Sequence, residues 1–188
     1  AERDACKVIM LGVQYGMSAY GMGQKASLHV LEAKDLLQRH KDVYHTFWKW
    51  AEQNVNAGLA GVELHTVFGW KIRAGKGRDV KENTFLNWPM QANGAEMLRL
   101  ACIALEEEGI GICAPVHDAI LIEAPLDEID QLVASATHHM QKASGWVLGR
   151  GRHCRVDAEI VRWPDRYIDG RGVDMWSFIQ SRLGEEAA

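Results

Sequence analysis

Four side chains at the start of this sequence, Arg3, Lys7, Leu11 and Tyr15, recur every fourth residue. On an α-helix a step of four turns the side chain by only about 40°, so the four form one slowly winding stripe: two cations, an aliphatic and an aromatic. A face of that composition suits a ligand with a phosphate end and a flat ring end, as in a nucleoside triphosphate. The spacing alone equally allows an amphipathic helix with solvated Arg and Lys, because i,i+4 neighbours occur on every helix. Val8, Ile9, Met10 and Val13 supply an apolar face for burial. Gly12 inside the helix costs about 1 kcal/mol relative to Ala, which predicts a close approach at that point. Gly16 is a usual C-terminal stop.

A second group with chemical potential is His117-Asp118, set between two apolar runs, 110–116 and 119–124. Read as strands, these runs make the dipeptide a tight turn. A carboxylate at the tip of such a hairpin is rigidly mounted, as a metal-binding carboxylate should be. The alternative is an Asp whose side chain bonds its own turn backbone. Pro115 has no N–H to give, so the first strand should be unpaired on that side or bulged. A third group is the amide pair Asn87 and Gln91, flanking Pro89.

The elements that must position these groups follow from periodicity. The first helix should run to Gly16, followed by a glycine-punctuated joint over 17–23. A helical region over 24–57 carries Leu36, Val43, Phe47 and Trp50 on one face, with His40 among them. Residues 62–73 alternate around Gly69 and predict a short β-hairpin. The basic, glycine-containing segment 74–79 reads as a loop, equally suited to solvent or to a phosphate backbone. Helix signals return after Asn87-Trp-Pro89, with Asn87 just before the helix and Gln91 in its first turn. Past the His-Asp hairpin, Pro125 and Asp127 start a helix bearing Ile129, Leu132, Val133, Ala136 and Met140. Residues 145–151 read as a loop, 155–160 as an alternating strand, and 175–182 as a short helix. The order predicts an α+β fold with helices packed on a small antiparallel sheet.

Bulk composition narrows the classes. Hydrophobic residues make up 47% and charged residues 24%, which excludes a disordered chain. The formal charge of −4 does not support gripping a polyanion by overall charge, so any such site must be local. Four cysteines, Cys6, Cys102, Cys113 and Cys154, have no paired spacing and read as reduced thiols. No apolar run reaches the roughly 20 residues of a membrane span. Only Ala1 and Glu2 precede Arg3, so a piece of a longer polypeptide is expected.

Three ordered motifs carry a resemblance: Arg3-x3-Lys7-x7-Tyr15-Gly16, Asn87-x-Pro89-x-Gln91, and Val116-His117-Asp118 followed by Leu121-x-Glu123-Ala124-Pro125. Together with Tyr15-Gly-Met-Ser-Ala19 and Thr66-Val-Phe-Gly69, they resemble the C-terminal part of family A DNA polymerases, the bacterial polymerase I type, over essentially the whole chain. The resemblance implies a fingers portion over 1–80, with the nucleotide-binding helix and a β-hairpin, and a C-terminal palm portion over 81–188, with the His-Asp hairpin. It implies that Arg3 and Lys7 bind the phosphates of the incoming dNTP, Lys7 also being a candidate general acid. Leu11 would lie against the incoming sugar and base. Tyr15 and Gly16 would lie at the templating base, and Asn87, Gln91 and His117 near the primer terminus and the duplex minor groove. Asp118 would be one of two metal-binding aspartates of a two-magnesium (Mg2+) site. The implied partners are primer-template DNA, a dNTP and the upstream part of the same polymerase, in a bacterial or phage-type cytoplasmic setting.

The departures from the family pattern are specific. Leu11 stands where the family usually has an aromatic, Asn83 where it usually has Arg, and Ala119 where Glu usually follows the aspartate. The family's first catalytic aspartate lies upstream of this sequence, so the chain alone is expected to be inactive and to self-associate through an exposed sheet edge. A single-subunit RNA polymerase shares the first helix and the His-Asp turn; the Asn-x-Pro-x-Gln and Glu-Ala-Pro segments favour the DNA enzymes. A metal-dependent phosphohydrolase would carry His-Asp on a helix, against the strand-like flanks seen here. The spacing of His138, His139, His153 and Cys154 is loose for zinc. A non-catalytic nucleic-acid-binding module is the remaining alternative.

Overall fold

The computed structural model describes residues 2–74 and 81–186; the side chains of 2–5, 8 and 185–186 also lie outside the description. The chain forms α1 (Glu2–Gln14), α2 (Ala19–Ala26), α3 (Val30–Val43), α4 (His45–Leu59), β1 (Leu64–His65), β2 (Lys71–Ile72), α5 (Glu82–Glu107), β3 (Ile112–Val116), β4 (Ala119–Ile122), α6 (Ile129–Leu148) and α7 (Val173–Glu186). This is an α+β arrangement, with two antiparallel two-stranded ribbons set among helices.

Several boundaries differ from expectation, each for a local reason. Most of the joint at 17–23 is helix, residues 19–23 belonging to α2. Ser18 caps α2, its hydroxyl accepting from the Gly21 N–H at 3.2 Å, and Ser27 ends the helix in the left-handed region at φ 54°. The region 24–57 is therefore broken. His29 opens α3 with a reciprocal cap: its Nδ1 accepts from the Leu31 N–H, and Glu32 accepts from the His29 N–H. Tyr44 separates α3 from α4. The helix expected after Pro89 begins at Glu82, so Asn87 and Gln91 sit in the body of α5. Pro89 removes one rung of that helix, and the Asn93 amide donates to its carbonyl at 2.7 Å. α6 starts at Ile129 rather than near Pro125 and continues through Gly145 to Leu148.

Residues 155–160 are not a strand. Alternation favours a pleat, but a strand requires a hydrogen-bonded neighbour. The segment is instead tethered to α6: the Cys154 N–H donates to the buried Ser144 hydroxyl at 2.8 Å, and Arg162 meets both oxygens of Asp130 at 2.6 Å.

Two hydrophobic clusters organise the molecule. Val13, Met22 and Ala33 are buried where α1, α2 and α3 meet, with Ile9, Met17, Leu37 and Trp48 packed around them. Leu105, Ile110 and Ala136 are buried under the β3–β4 ribbon, which adds Ile112, Ile120 and Ile122 from one face. α5, 26 residues and about 39 Å long, links the two halves. At its first turns the fully buried Phe85 lies against α4. A Cβ on Gly58 would stand 2.3 Å from that ring, so glycine is what permits the contact. α7 keeps Trp176, Ile179 and Leu183 exposed.

Candidate nucleotide and nucleic-acid site

The opening stripe faces away from the first cluster. Val13 is 1% exposed, whereas Leu11 is 44% and Tyr15 48% exposed, and Lys7 is exposed too. The backbone of Arg3 belongs to α1, but its side chain lies outside the described residues. The close approach predicted at Gly12 has an internal cause. The chain folds back so that the Met17 N–H donates to the Gly12 carbonyl at 2.8 Å, and a Cβ there would meet Met17 Cε at 2.0 Å.

At the end of α1 the structure brings two sequence motifs together. Asn83, Asn87 and Gln91 follow one another at four-residue steps on α5, a single row of amides. Asn87 Nδ2 donates to the Tyr15 carbonyl at 3.3 Å. Gln91 Nε2 donates to the Tyr15 hydroxyl at 3.2 Å. Gly16 has φ +86°, and a Cβ on it would stand 2.5 Å from Asn83 Oδ1. Tyr15 and Gly16 are thus clasped by three amides from a helix some seventy residues away. Asn83 belongs to this group by geometry, and its signal in the sequence was the repeated step of four.

His117 and Asp118 form the two-residue loop between β3 and β4, where Val116 pairs with Ala119. His117 adopts φ 56°, a left-handed conformation that lets so short a loop follow the strand twist. Both residues are exposed. The ribbon irregularity falls between Ile112 and Ala114, before Pro115, which itself pairs with Ile120. Among the described residues no hydrogen bond links this loop to the Tyr15 clasp.

One further polar group was not foreseen. Glu96 is 1% exposed and lies on the buried stripe of α5 with Phe85 and Ala92. Its carboxylate accepts from the Thr66 hydroxyl at 2.8 Å and pairs with Arg99. The same Thr66 hydroxyl accepts from the Trp70 N–H at 2.9 Å, and Asn93 accepts from the Val67 N–H at 3.1 Å. The β1–β2 hairpin is therefore bolted to α5, leaving an open cleft of about 510 Å³ lined by Phe68, Gly69, Trp70, Ala95, Glu96 and Arg99. A charged position inside an apolar helical stripe was the signal. Of the basic loop expected over 74–79, residues 75–79 lie outside the described residues.

Among the described residues no cluster of three or more metal-ligating side chains occurs. Asp118 offers one exposed carboxylate. A hard oxygen donor of that kind suits magnesium, which commonly takes one or two carboxylates and completes its shell with water and substrate phosphates. His139 faces Glu108 at 3.6 Å and packs edge-on against His138.

The sequence model of DNA polymerase family A matches residues 1–160. The chain belongs to that family. It is 29% identical over 152 residues to the thermostable DNA polymerase I of Thermus thermophilus, covering 75% of this chain and 18% of that protein. Identity to DNA polymerase I of Deinococcus radiodurans is 27% over 144 residues, 71% of this chain and 15% of the relative. A solved structure of the POL domain of Pol1 from M. smegmatis, in complex with DNA primer-template and dNTP, superposes with a TM-score of 0.64 at 26% identity, covering 75% of this chain and 27% of that one. The chain thus spans under a fifth of the length of these curated relatives, and the family match ends before α7. Among the described residues no helix is long and apolar enough to cross a membrane.

Proposed function

We propose that this chain supplies the nucleotide-delivering helix and part of the primer-terminus site of a family A DNA polymerase, extending DNA by template-directed phosphoryl transfer. The observation that carries the reading is the clasp of Tyr15 by Asn87 and Gln91. Two motifs that the family places at the templating base and the primer terminus are neighbours here. The solved relative that binds primer-template and dNTP supports the same partners for this chain.

In this reading residues 1–80 are fingers and 81–188 palm. Arg3 and Lys7 neutralise the triphosphate of the incoming dNTP, and Lys7 is placed to protonate the leaving pyrophosphate. Leu11 and Tyr15 border the sugar and the base pair. Asn87, Gln91 and His117 present donors to the minor groove, where every base pair shows acceptors, so they sense pair shape without reading sequence. Asp118 is one carboxylate ligand for magnesium, which when bound stabilises charge on the attacking and leaving oxygens. The remaining ligands belong to the upstream part of the same polypeptide. A helix that brings its cations to the phosphates only after correct pairing converts binding energy into selectivity.

The test is Asp118→Ala in the intact parent enzyme. Nucleotide addition should fall to background while primer-template affinity is largely retained, and near-normal extension would refute the assignment. The purified 188-residue chain should give no templated extension with magnesium.

A further inference from the structure

We propose that the end of α6 and the loop that follows it form an accessory site for single-stranded DNA, with Trp146 as the stacking platform and Arg150 and Arg152 on the phosphates. The sequence segregates charge here. Between Asp130 and Asp157 there is no carboxylate, while Lys142, Arg150, Arg152 and Arg155 all fall in that interval of a chain whose formal charge is −4. A cationic interval in an otherwise acidic chain marks a local surface for a polyanion. The fold then gathers it. Gly149, Arg150 and Gly151 are all left-handed, at φ 63°, 53° and 69°, so the chain reverses as soon as α6 ends. The Arg152 N–H donates to the Gly149 carbonyl at 3.0 Å, and the Arg152 carbonyl oxygen lies 3.4 Å from where a Gly145 Cβ would stand. The Cys154 N–H reaches the buried Ser144 hydroxyl at 2.8 Å. The loop is thereby laid back along the last turns of α6, at the level of Trp146.

Trp146 is 48% exposed, and Lys142 Nζ lies 5.5 Å from its ring centroid. Arg150 and Arg152 are exposed and have no acidic partner among the described residues, whereas Arg155 is paired with Asp157 at 2.7 Å. An exposed ring bordered by unpaired cations meets the two needs of a single strand: every base has a face to stack, and the backbone carries a phosphate at each step. A duplex hides its base faces, so the ring selects the single strand. The negative end of α6 gives the cations a second, purely structural use, but that field falls off within the last turn, and no basic residue lies in that turn. The site uses no residue assigned to nucleotide addition; only the choice of DNA over RNA rests on the proposed function.

The test measures binding of a labelled oligothymidylate to the intact parent by fluorescence anisotropy, with a hairpin primer-template in excess to fill the primer-terminus site. Arg150→Gln combined with Arg152→Gln should flatten the slope of log affinity against log salt by about 1.4, two phosphate contacts at about 0.7 each for a single strand. Trp146→Ala should weaken binding by about five- to a hundredfold, the range for one stacked base, and Trp146→Phe should keep most of the affinity. Addition of one nucleotide to the hairpin primer should be unchanged in all of these variants. An unchanged slope in the arginine variant overturns the site. So does a fall in its melting temperature with full oligonucleotide affinity, which assigns the cations to the end of α6. Wild-type affinity in Trp146→Ala, or displacement of the oligonucleotide by inorganic tripolyphosphate at equal phosphate concentration, makes the surface a phosphate site and overturns the single strand. Tighter binding of an oligouridylate overturns the choice of DNA. If Asp118→Ala keeps synthesis, the polymerase reading falls, and the anisotropy result still judges this surface by itself.

Discussion

Replacing Gly16 by Ala tests the junction between α1 and α5 with two separable costs. Gly16 has φ +86°, where a residue with a Cβ is destabilised by roughly 1–2 kcal/mol. The new methyl would also lie 2.5 Å from Asn83 Oδ1 and 2.9 Å from its Cγ. These are the far atoms of a short side chain, so Asn83 can swing away, at about 0.5–1.5 kcal/mol for leaving its preferred rotamer. Gly16→Ala should therefore cost roughly 1.5–3.5 kcal/mol, or about 3–14 °C in melting temperature for a chain of this size. In an Asn83→Ala background the second cost disappears and only the backbone strain remains. A double-mutant cycle by urea unfolding should thus give a coupling of about 1 kcal/mol. An equal cost with and without Asn83 would refute the contact that seats Gly16, and with it the register of α1 on α5.

Three further outcomes follow from the same geometry. Leu11→Phe, at an exposed stripe position, puts a flat surface where the proposed function has the incoming sugar and should change acceptance of dideoxynucleotides in the parent; identical discrimination would remove Leu11 from the proposed nucleotide pocket. Ala should act oppositely at two helical glycines: Gly94 has nothing within 4 Å, so Gly94→Ala should stabilise by about 1 kcal/mol, whereas Gly58→Ala drives a methyl into Phe85 and should cost about 1–3 kcal/mol, both read by denaturant midpoint. Burial holds the His40 pKa below its ordinary 6.5, and its Nδ1 accepts from Trp48 Nε1 at 3.1 Å, so the neutral ring is the folded form. As pH falls below about 6.5 the unfolded chain takes up the proton first, and the stability present above that pH is lost. His40→Gln keeps the acceptor without the titration, so wild type should lose stability relative to it between pH 7.5 and 5, measured by thermal melts.

The sequence made some of this legible and hid the rest for physical reasons. The first helix, both hairpins and the buried face of α6 follow from period and from glycine, whereas α5 packs on α4, α6 and β3 with different faces along its length and so shows no single stripe. The breaks around Ser18, Ser27 and His29 were hidden because each depends on a cap rather than on hydrophobic period, and the one at Tyr44 because it is a local departure of the backbone from helical dihedrals. Pro89 misled because proline is favoured in the first turn of a helix, whereas here it sits in the body of α5 without its rung to the Phe85 carbonyl, and the packing of Phe85 and Leu105 holds both ends of the helix. Residues 155–160 misled in the other direction. Alternation describes a pleat, but only a neighbouring strand makes a ladder, and Ser144 and Arg162 tether that segment instead.

The buried Glu96 explains why α5 can serve as the common support of the site. A carboxylate taken from water is costly unless its oxygens are bonded. Here Thr66 takes one oxygen and Arg99 the other, so the cost is met only while the β1–β2 hairpin is docked. Asn93 repeats this arrangement one turn earlier, bonding both the hairpin at Val67 and the Pro89 carbonyl. α5 is thereby braced from outside in the turn that follows the rung removed by Pro89, the turn that carries Gln91.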